Sequence, residues 1–350
     1  VLESSSVSVS GDKVSYAEGR CDNSDPSKFI QLESKGITLH DNDAGYSIKL
    51  SVRNRSTTEN LYVGIPLSYL DTVEGYEQVK NRLVGLPRVL DHSPLYKLNL
   101  AKDSIKTLVF FVKSSKQYNI PIVVSKSTFS NRTNQIRNVL LGCFIGIMLA
   151  MFLYNIFIGI STKQREYVPY ILYVFFITIA QLRFLGIDYY FIGDNLFVKD
   201  SLLYLGSAFS GIFGTLFALQ FLNIRSLLPR LVPFYWLVIL IYCCTAILFI
   251  FGNSVSAYRA IQLGGLTSAI IFIVSCVLLL RKNYKPARIY LLAWSFLMIG
   301  LVAYSLRDFG LVEASLWINI TFPFGVAIET ILLSLALANR INTLKDEKEE

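Results

Sequence analysis

The chain has 350 residues, is 53% hydrophobic and only 17% charged, and combines a formal net charge of +8 with a mean hydropathy of +0.47. A soluble domain carries about a quarter charged residues, so a single soluble globule is excluded. The basic excess does not mark a nucleic-acid binder, because it forms no stripe and, after residue 137, sits mostly in short loops between apolar runs.

Residues 1–137 are polar and mixed, and their apolar positions recur with period 2. In YSIKLSV the alternating positions are Tyr46, Ile48, Leu50 and Val52; in LYVGIPL they are Leu61, Val63, Ile65 and Leu67; in IKTLVFFV they include Leu108, Phe110 and Val112. Turn clusters such as DNDAG, NRSTTEN and KSSKQYN separate these runs. Short alternating strands punctuated by turns predict an all-β sandwich or jelly roll. The opening VLESSSVSVSGDK lacks the basic start and apolar centre of a signal peptide, so a chain beginning at a mature end is expected.

Metal chemistry finds little support. Asp41 and Asp43 imitate the start of a calcium loop, but the glycine comes one position early and Val52 stands where the distal glutamate belongs. An Asx-type turn is the expectation there. His40 and His92 are the chain's two histidines and have no ligand cluster around them. Cys21 is alone in this part, and Cys143, Cys243, Cys244 and Cys276 lie in apolar runs as small hydrophobes.

From residue 138 onward apolar runs dominate. A membrane-crossing helix needs about 20 apolar residues, and seven runs qualify, at about 139–160, 167–185, 201–222, 231–251, 260–280, 289–306 and 314–338. The loops after the first, third and fifth hold Lys163, Arg165, Arg225, Arg230, Arg281, Lys282, Lys285 and Arg288. Those after the second, fourth and sixth hold Arg183, Lys199, Arg259 and Arg307. Eight cations against four places the first set in the cytoplasm and the N-terminal part outside. Trp236 and Trp317 are expected as interfacial anchors.

The last run carries a single carboxylate, Glu329, whose candidate partners are Gln181, Arg183, Gln220 and Gln262. An ionisable residue inside a membrane segment is read as functional by default, here as a polar latch between signalling states; a static hydrogen bond is the other reading. Asp188, Asp194, Asp200, Asp308 and Glu313 are assigned to outward loops. Beyond the last span the sequence stays helical without Gly or Pro, and Leu337, Ile341 and Leu344 are spaced four then three, a seam for a two-helix coiled coil. Residues 339–350 thus read as the start of a cytoplasmic signalling helix.

No lysine lies in mid-membrane, which excludes a retinal Schiff base, and no histidine follows residue 137. No phosphate-binding glycine loop, nucleophile–base pair or metal cluster is visible. The chain is expected to be non-enzymatic and to need no cofactor.

The stretch LLGCFIGIMLAMFLYNIFIGISTKQREYVPYILYVFF, with Tyr154 and Asn155 closing its first span, resembles the opening of the seven-transmembrane receptors with diverse intracellular signalling modules (7TMR-DISM). The closing ETILLSLALANRINTLK resembles that family's last span at Glu329, Ser334, Leu335, Ala336, Leu337, Ala338, Arg340, Ile341 and Asn342. IKLSVRNRSTTENLYVGIPLSYLDTV is similar to its jelly-roll ectodomain, akin to carbohydrate-binding modules. The resemblance implies a bacterial inner-membrane sensor whose last span feeds a kinase, cyclase or phosphatase, none of which precedes residue 350.

The expected architecture is an ectodomain over 1–137, a seven-helix domain over 138–338 and a helix over 339–350. Expected partners are the lipid bilayer, an extracytoplasmic small molecule or sugar, and a second copy of the chain through its C-terminal helix. Tyr46, Tyr62 and Tyr69 suit either sugar stacking or strand packing, so the ligand site stays unassigned. A transporter and a partner-coupled scaffold are the alternative functions.

Overall fold

A computed structural model describes residues 45–54, 59–65, 72–80, 82–90, 93–113, 123–125, 131–164, 167–192, 195–308, 312 and 316–349, and the backbone of short strands at 2–3, 7–9, 15–18, 30–31, 37–39 and 118–120. Two compact units result: Val1–Asn138 with Leu306–Ala314, and Val139–Ser305 with Ser315–Glu350. His40, Asp41, Asp43, Tyr69 and His92 lie outside the described residues.

The first unit is β-rich. Its strands are β1 (Leu2–Glu3), β2 (Val7–Val9), β3 (Ser15–Glu18), β4 (Ile30–Gln31), β5 (Ile37–Leu39), β6 (Tyr46–Asn54), β7 (Asn60–Gly64), β8 (Thr72–Val79), β9 (Arg82–Gly85), β10 (Arg88–Leu90), β11 (Ser93–Asn99), β12 (Ile105–Lys113), β13 (Tyr118–Ile120) and β14 (Val123–Ser125). One sheet runs β1-β14-β7-β11-β10, a second runs β4-β3-β6-β12-β8-β9 with β2 also paired to β6, and β13 and β5 form a separate two-stranded sheet. The long strands pair antiparallel, with Leu50 opposite Leu108 and Ile48 opposite Phe110.

Alternation explains why two sheets form. Ile48, Leu50 and Val52 of β6 and Leu108, Phe110 and Val112 of β12 turn one way and share a buried core with Leu61 and Val63 of β7 and Leu98 of β11. Both sheets contribute an apolar face to that core, which makes a sandwich. Burying each such side chain contributes about 1.5–3 kcal/mol before conformational entropy is subtracted. Tyr96 reaches across from β11, donating its hydroxyl to the Val73 carbonyl of the opposite sheet at 2.8 Å. Burial raises the Tyr96 phenol above its ordinary range, with Arg88 opposing. Tyr46 lies inside this core as well, so it offers no stacking face for a sugar.

The second unit is helical. Its helices are α1 (Asn131–Thr162), α2 (Tyr167–Phe184), α3 (Tyr189–Ile192), α4 (Leu196–Phe221), α5 (Ile224–Leu227), α6 (Val232–Ile250), α7 (Ser254–Arg281), α8 (Pro286–Asp308) and α9 (Leu316–Glu349). Among the described residues seven of them, all but α3 and α5, contain segments long and apolar enough to cross a membrane. Side chains such as Leu153, Phe157 and Ile160 of α1 remain exposed, as a lipid-facing surface requires. The chain is a multi-pass membrane protein.

Local signals set the helix ends. Asn195 and Asn253 cap α4 and α7, their side-chain oxygens accepting from Val198 N–H (3.2 Å) and Ser256 N–H (3.0 Å). Gly186 and Gly252 adopt φ of +70° and +81°, the left-handed conformation that closes a helix and reverses the chain.

The helices are not equivalent. In α9 61% of the most apolar window is buried, against 22% in α1 and α6. The helix that runs on beyond the bundle is therefore also the one most enclosed by it. Pro323 lies inside α9 and removes one backbone hydrogen bond from its ladder. It went unremarked in the sequence, where the apolar run continues straight through it.

Candidate functional site

Three helices are joined by polar side chains in the middle of the apolar bundle. Tyr170 and Tyr173 stand three apart on α2, which puts both on one face. Glu329, Thr330 and Ser334 present the matching face of α9, and Asn155 comes from α1. All six are buried, and Glu329 has no measurable exposure.

The contacts form a continuous chain. Asn155 Nδ2 donates to Ser334 Oγ at 2.8 Å and to the Met151 carbonyl at 2.7 Å. The Tyr170 and Ser334 hydroxyls converge on the Thr330 carbonyl at 2.6 and 2.7 Å and lie 3.0 Å apart. Tyr173 donates its hydroxyl to Glu329 Oε2 at 3.0 Å, and Thr330 Oγ1 lies 3.4 Å from the same oxygen. Glu329 Oε1 has no hydrogen-bond partner among the described residues. Tyr170 of this chain packs its ring on Phe217 of α4 at 4.7 Å between centroids.

Such an arrangement is directional and costly to leave half-made, because a buried polar group without its partner loses its full hydration. Sliding or rotating α9 against α1 and α2 must break it. It holds α9 in one register.

The partners differ from those the sequence suggested. Gln220 and Gln262 are exposed. Gln181 is fully buried, with neither amide atom hydrogen-bonded among the described residues. Arg183 is engaged elsewhere. Its guanidinium lies 3.3 Å from Asp188 and 3.5 Å from Asp200, and Arg183 and Asp188 are each 2% exposed. This corrects the reading of Arg183, Asp188 and Asp200 as outward loop charges: Arg183 ends α2, Asp200 opens α4, and the left-handed Gly186 folds Asp188 back onto the arginine.

The expected seam is corrected in part. Leu337 is 1% exposed and belongs to the core of the bundle with Leu333 and Ala336, so its face is already covered by the chain's own helices. Ile341 and Leu344 fall on the continuous α9, and their side chains lie outside the described residues. Trp236 and Trp317 are exposed, at 49% and 67%. Among the described residues no His, Cys, Asp and Glu group suited to a metal occurs.

Sequence reasoning missed Tyr170 and Tyr173, which counted only as part of an apolar run. Their spacing of three opposite a lone membrane carboxyl was the available signal. A family model described as 7TM diverse intracellular signalling matches residues 137–340. No curated protein matches the chain.

Proposed function

We propose a function from one premise: the chain belongs to the 7TM diverse intracellular signalling family. Its role is that of a transmembrane sensor module. The β-rich unit, a jelly roll on the outer side of a bacterial cytoplasmic membrane, meets a small metabolite or carbohydrate. The seven helices change conformation in response, and α9 carries the change inward to an output domain that is a separate part of the receptor. A ligand shifts such an equilibrium only by binding the two states unequally.

The observation that supports this reading is the hydrogen-bonded chain from Asn155 through Ser334, Tyr170 and Thr330 to Glu329 and Tyr173. It couples the register of α9 to α1 and α2, and α9 continues as one helix to Glu349. Glu329 is the latch of this device. Two copies meet along α9 beyond Asn339, where Ile341 and Leu344 continue the seam.

Single cysteines placed along 339–346 in membranes test the reading. Crosslinking should peak at 341 and 344 in a one-sided helical pattern, and Glu329→Gln should shift the ratio between those positions while insertion stays intact. A flat profile, unaltered by Glu329→Gln, would defeat it.

A further inference from the structure

One end of the helical unit keeps cations that its fold does not use. The end of α4 meets the start of α2 through Tyr170 and Phe217, and Lys282 Nζ donates to the Leu227 carbonyl at 2.6 Å. Three loops, α1–α2, α4–α6 and α7–α8, therefore gather at the same end. Lys163, Arg225, Arg230, Arg281, Lys285 and Arg288 are exposed there. None of the six has an ion pair or a side-chain hydrogen bond among the described residues.

At the other end the described cations are engaged or covered, the exposed Arg259 included among the engaged ones. Arg183 is held by Asp188 and Asp200, and Lys199 is only 9% exposed. Among the described residues of the helical unit, unspent positive charge thus gathers at one rim of the bundle.

Its placement says what it meets. Lys163 follows exposed Ile160 on α1, Arg230 precedes exposed Phe234, Arg281 follows exposed Val277 and Arg288 precedes exposed Leu292. For Arg281 with Val277 on α7 and Arg288 with Leu292 on α8 the spacing is four residues within one α-helix, so cation and apolar side chain stack on the same face. That puts the charged head at the upper edge of the lipid-facing belt, where phosphate groups lie, with the side-chain stem along the acyl region. Four of the six are arginines, whose planar donors match phosphate oxygens in pairs.

We propose that this rim is a binding collar for the headgroups of anionic phospholipids. A free phosphate ion would satisfy the guanidinium groups but not the exposed apolar side chains beside Arg281 and Arg288; a phospholipid satisfies both. The collar operates whichever leaflet this end occupies. Asp346, Glu347 and Glu349 follow on α9, about 10 Å or more along the helix past Asn339.

The whole chain in nanodiscs provides the test. Replacing part of the phosphatidylcholine with phosphatidylglycerol should raise the unfolding midpoint, and native mass spectrometry should show phosphatidylglycerol retained over phosphatidylcholine, less so at high salt. Neutralising Arg225, Arg230, Lys285 and Arg288 to Gln should weaken the apparent affinity for phosphatidylglycerol by about fivefold per charge removed. Lys97→Gln with Lys102→Gln, in the β-rich unit, should leave it unchanged. An undiminished lipid response in the fourfold variant overturns the collar. So does an equal midpoint rise from inorganic phosphate in phosphatidylcholine discs. Should the fourfold variant not fold, equal retention of both lipids by the unmodified chain overturns it.

Discussion

Glu329 is met by hydroxyl groups rather than by a cation, and that makes its energetics testable. Tyr173→Phe leaves Oε2 with only the Thr330 hydroxyl at 3.4 Å among the described residues, which should cost about 1–3 kcal/mol. If the two groups act as a pair, combining Tyr173→Phe with Glu329→Gln should cost less than the sum of the single changes by about 0.5 kcal/mol or more. Thermal unfolding in bilayer discs measures all three variants, and strict additivity would dissolve the pair. Arg183 carries a larger expectation. Arg183→Met removes the guanidinium that Asp188 and Asp200 share, and breaking a buried pair from one side costs about 3–5 kcal/mol. A loss within about 0.5 kcal/mol, typical of a surface charge, would return Arg183 to solvent. The sequence made Glu329 conspicuous as the lone carboxylate in an apolar run. Its partner was hidden because depth along two helices separated by 156 positions is a property of packing. Arg183 misled for a related reason: a charge closing an apolar run looks like a loop residue until the turn at Gly186 folds an aspartate over it.

Between elements, close approach decides what the helices tolerate. The ring of Tyr242 on α6 is clamped between two glycines. A Cβ on Gly211 of α4 would lie 2.3 Å from Tyr242 Cζ, and one on Gly264 of α7 would lie 2.9 Å from its Cε1. The ring cannot retreat from one helix without striking the other. Gly211→Ala should therefore destabilise by about 1–3 kcal/mol through overpacking. Gly265→Ala is the control: nothing lies within 4 Å of its Cβ, so relieving a helical glycine should be neutral or stabilising by up to about 1 kcal/mol. Equal effects of the two substitutions on the unfolding midpoint would show that Tyr242 is not clamped. The strands and seven apolar runs were legible because period 2 and a run of about 20 apolar residues are local properties. Which glycine faces a ring is not local. Neither is the close crossing of α8 and α9, where a Cβ on Gly300 would sit 2.8 Å from the Phe322 backbone. Pro323 is a different case, since it was visible and its effect on α9 depends on neighbours the sequence does not name.

For the whole molecule, the parity of the spans matters more than any one contact. If all seven helices cross, the β-rich unit and the end of α9 lie on opposite sides of the bilayer, while six or eight crossings would put them on the same side. The second helix is the critical one, because Tyr167–Phe184 has 18 residues and the lowest mean hydropathy of the seven, 1.4. At about 1.5 Å per residue it spans about 27 Å, just enough for a thin hydrocarbon core. It is also one of the more buried, at 44% of its window, which lets Tyr170 and Tyr173 face protein rather than lipid. A crossing helix that lies inside a bundle needs less apolar surface, so its modest hydropathy is what its position requires. Single cysteines replacing Lys102 in the first unit and Lys285 in the α7–α8 loop, both exposed, report the parity of the five crossing helices between them, α2 included, in a background cleared of native thiols. An impermeant maleimide added to intact cells should label the Lys102 site and leave the Lys285 site unlabelled until the membrane is opened. In the proposed topology the exposed cations of the α7–α8 loop favour that polarity. Labelling of both sites from outside would mean that one of those five helices does not cross; were it α2, the shortest and least apolar, the polar chain it shares with α9 would have to form at the membrane surface instead of within it.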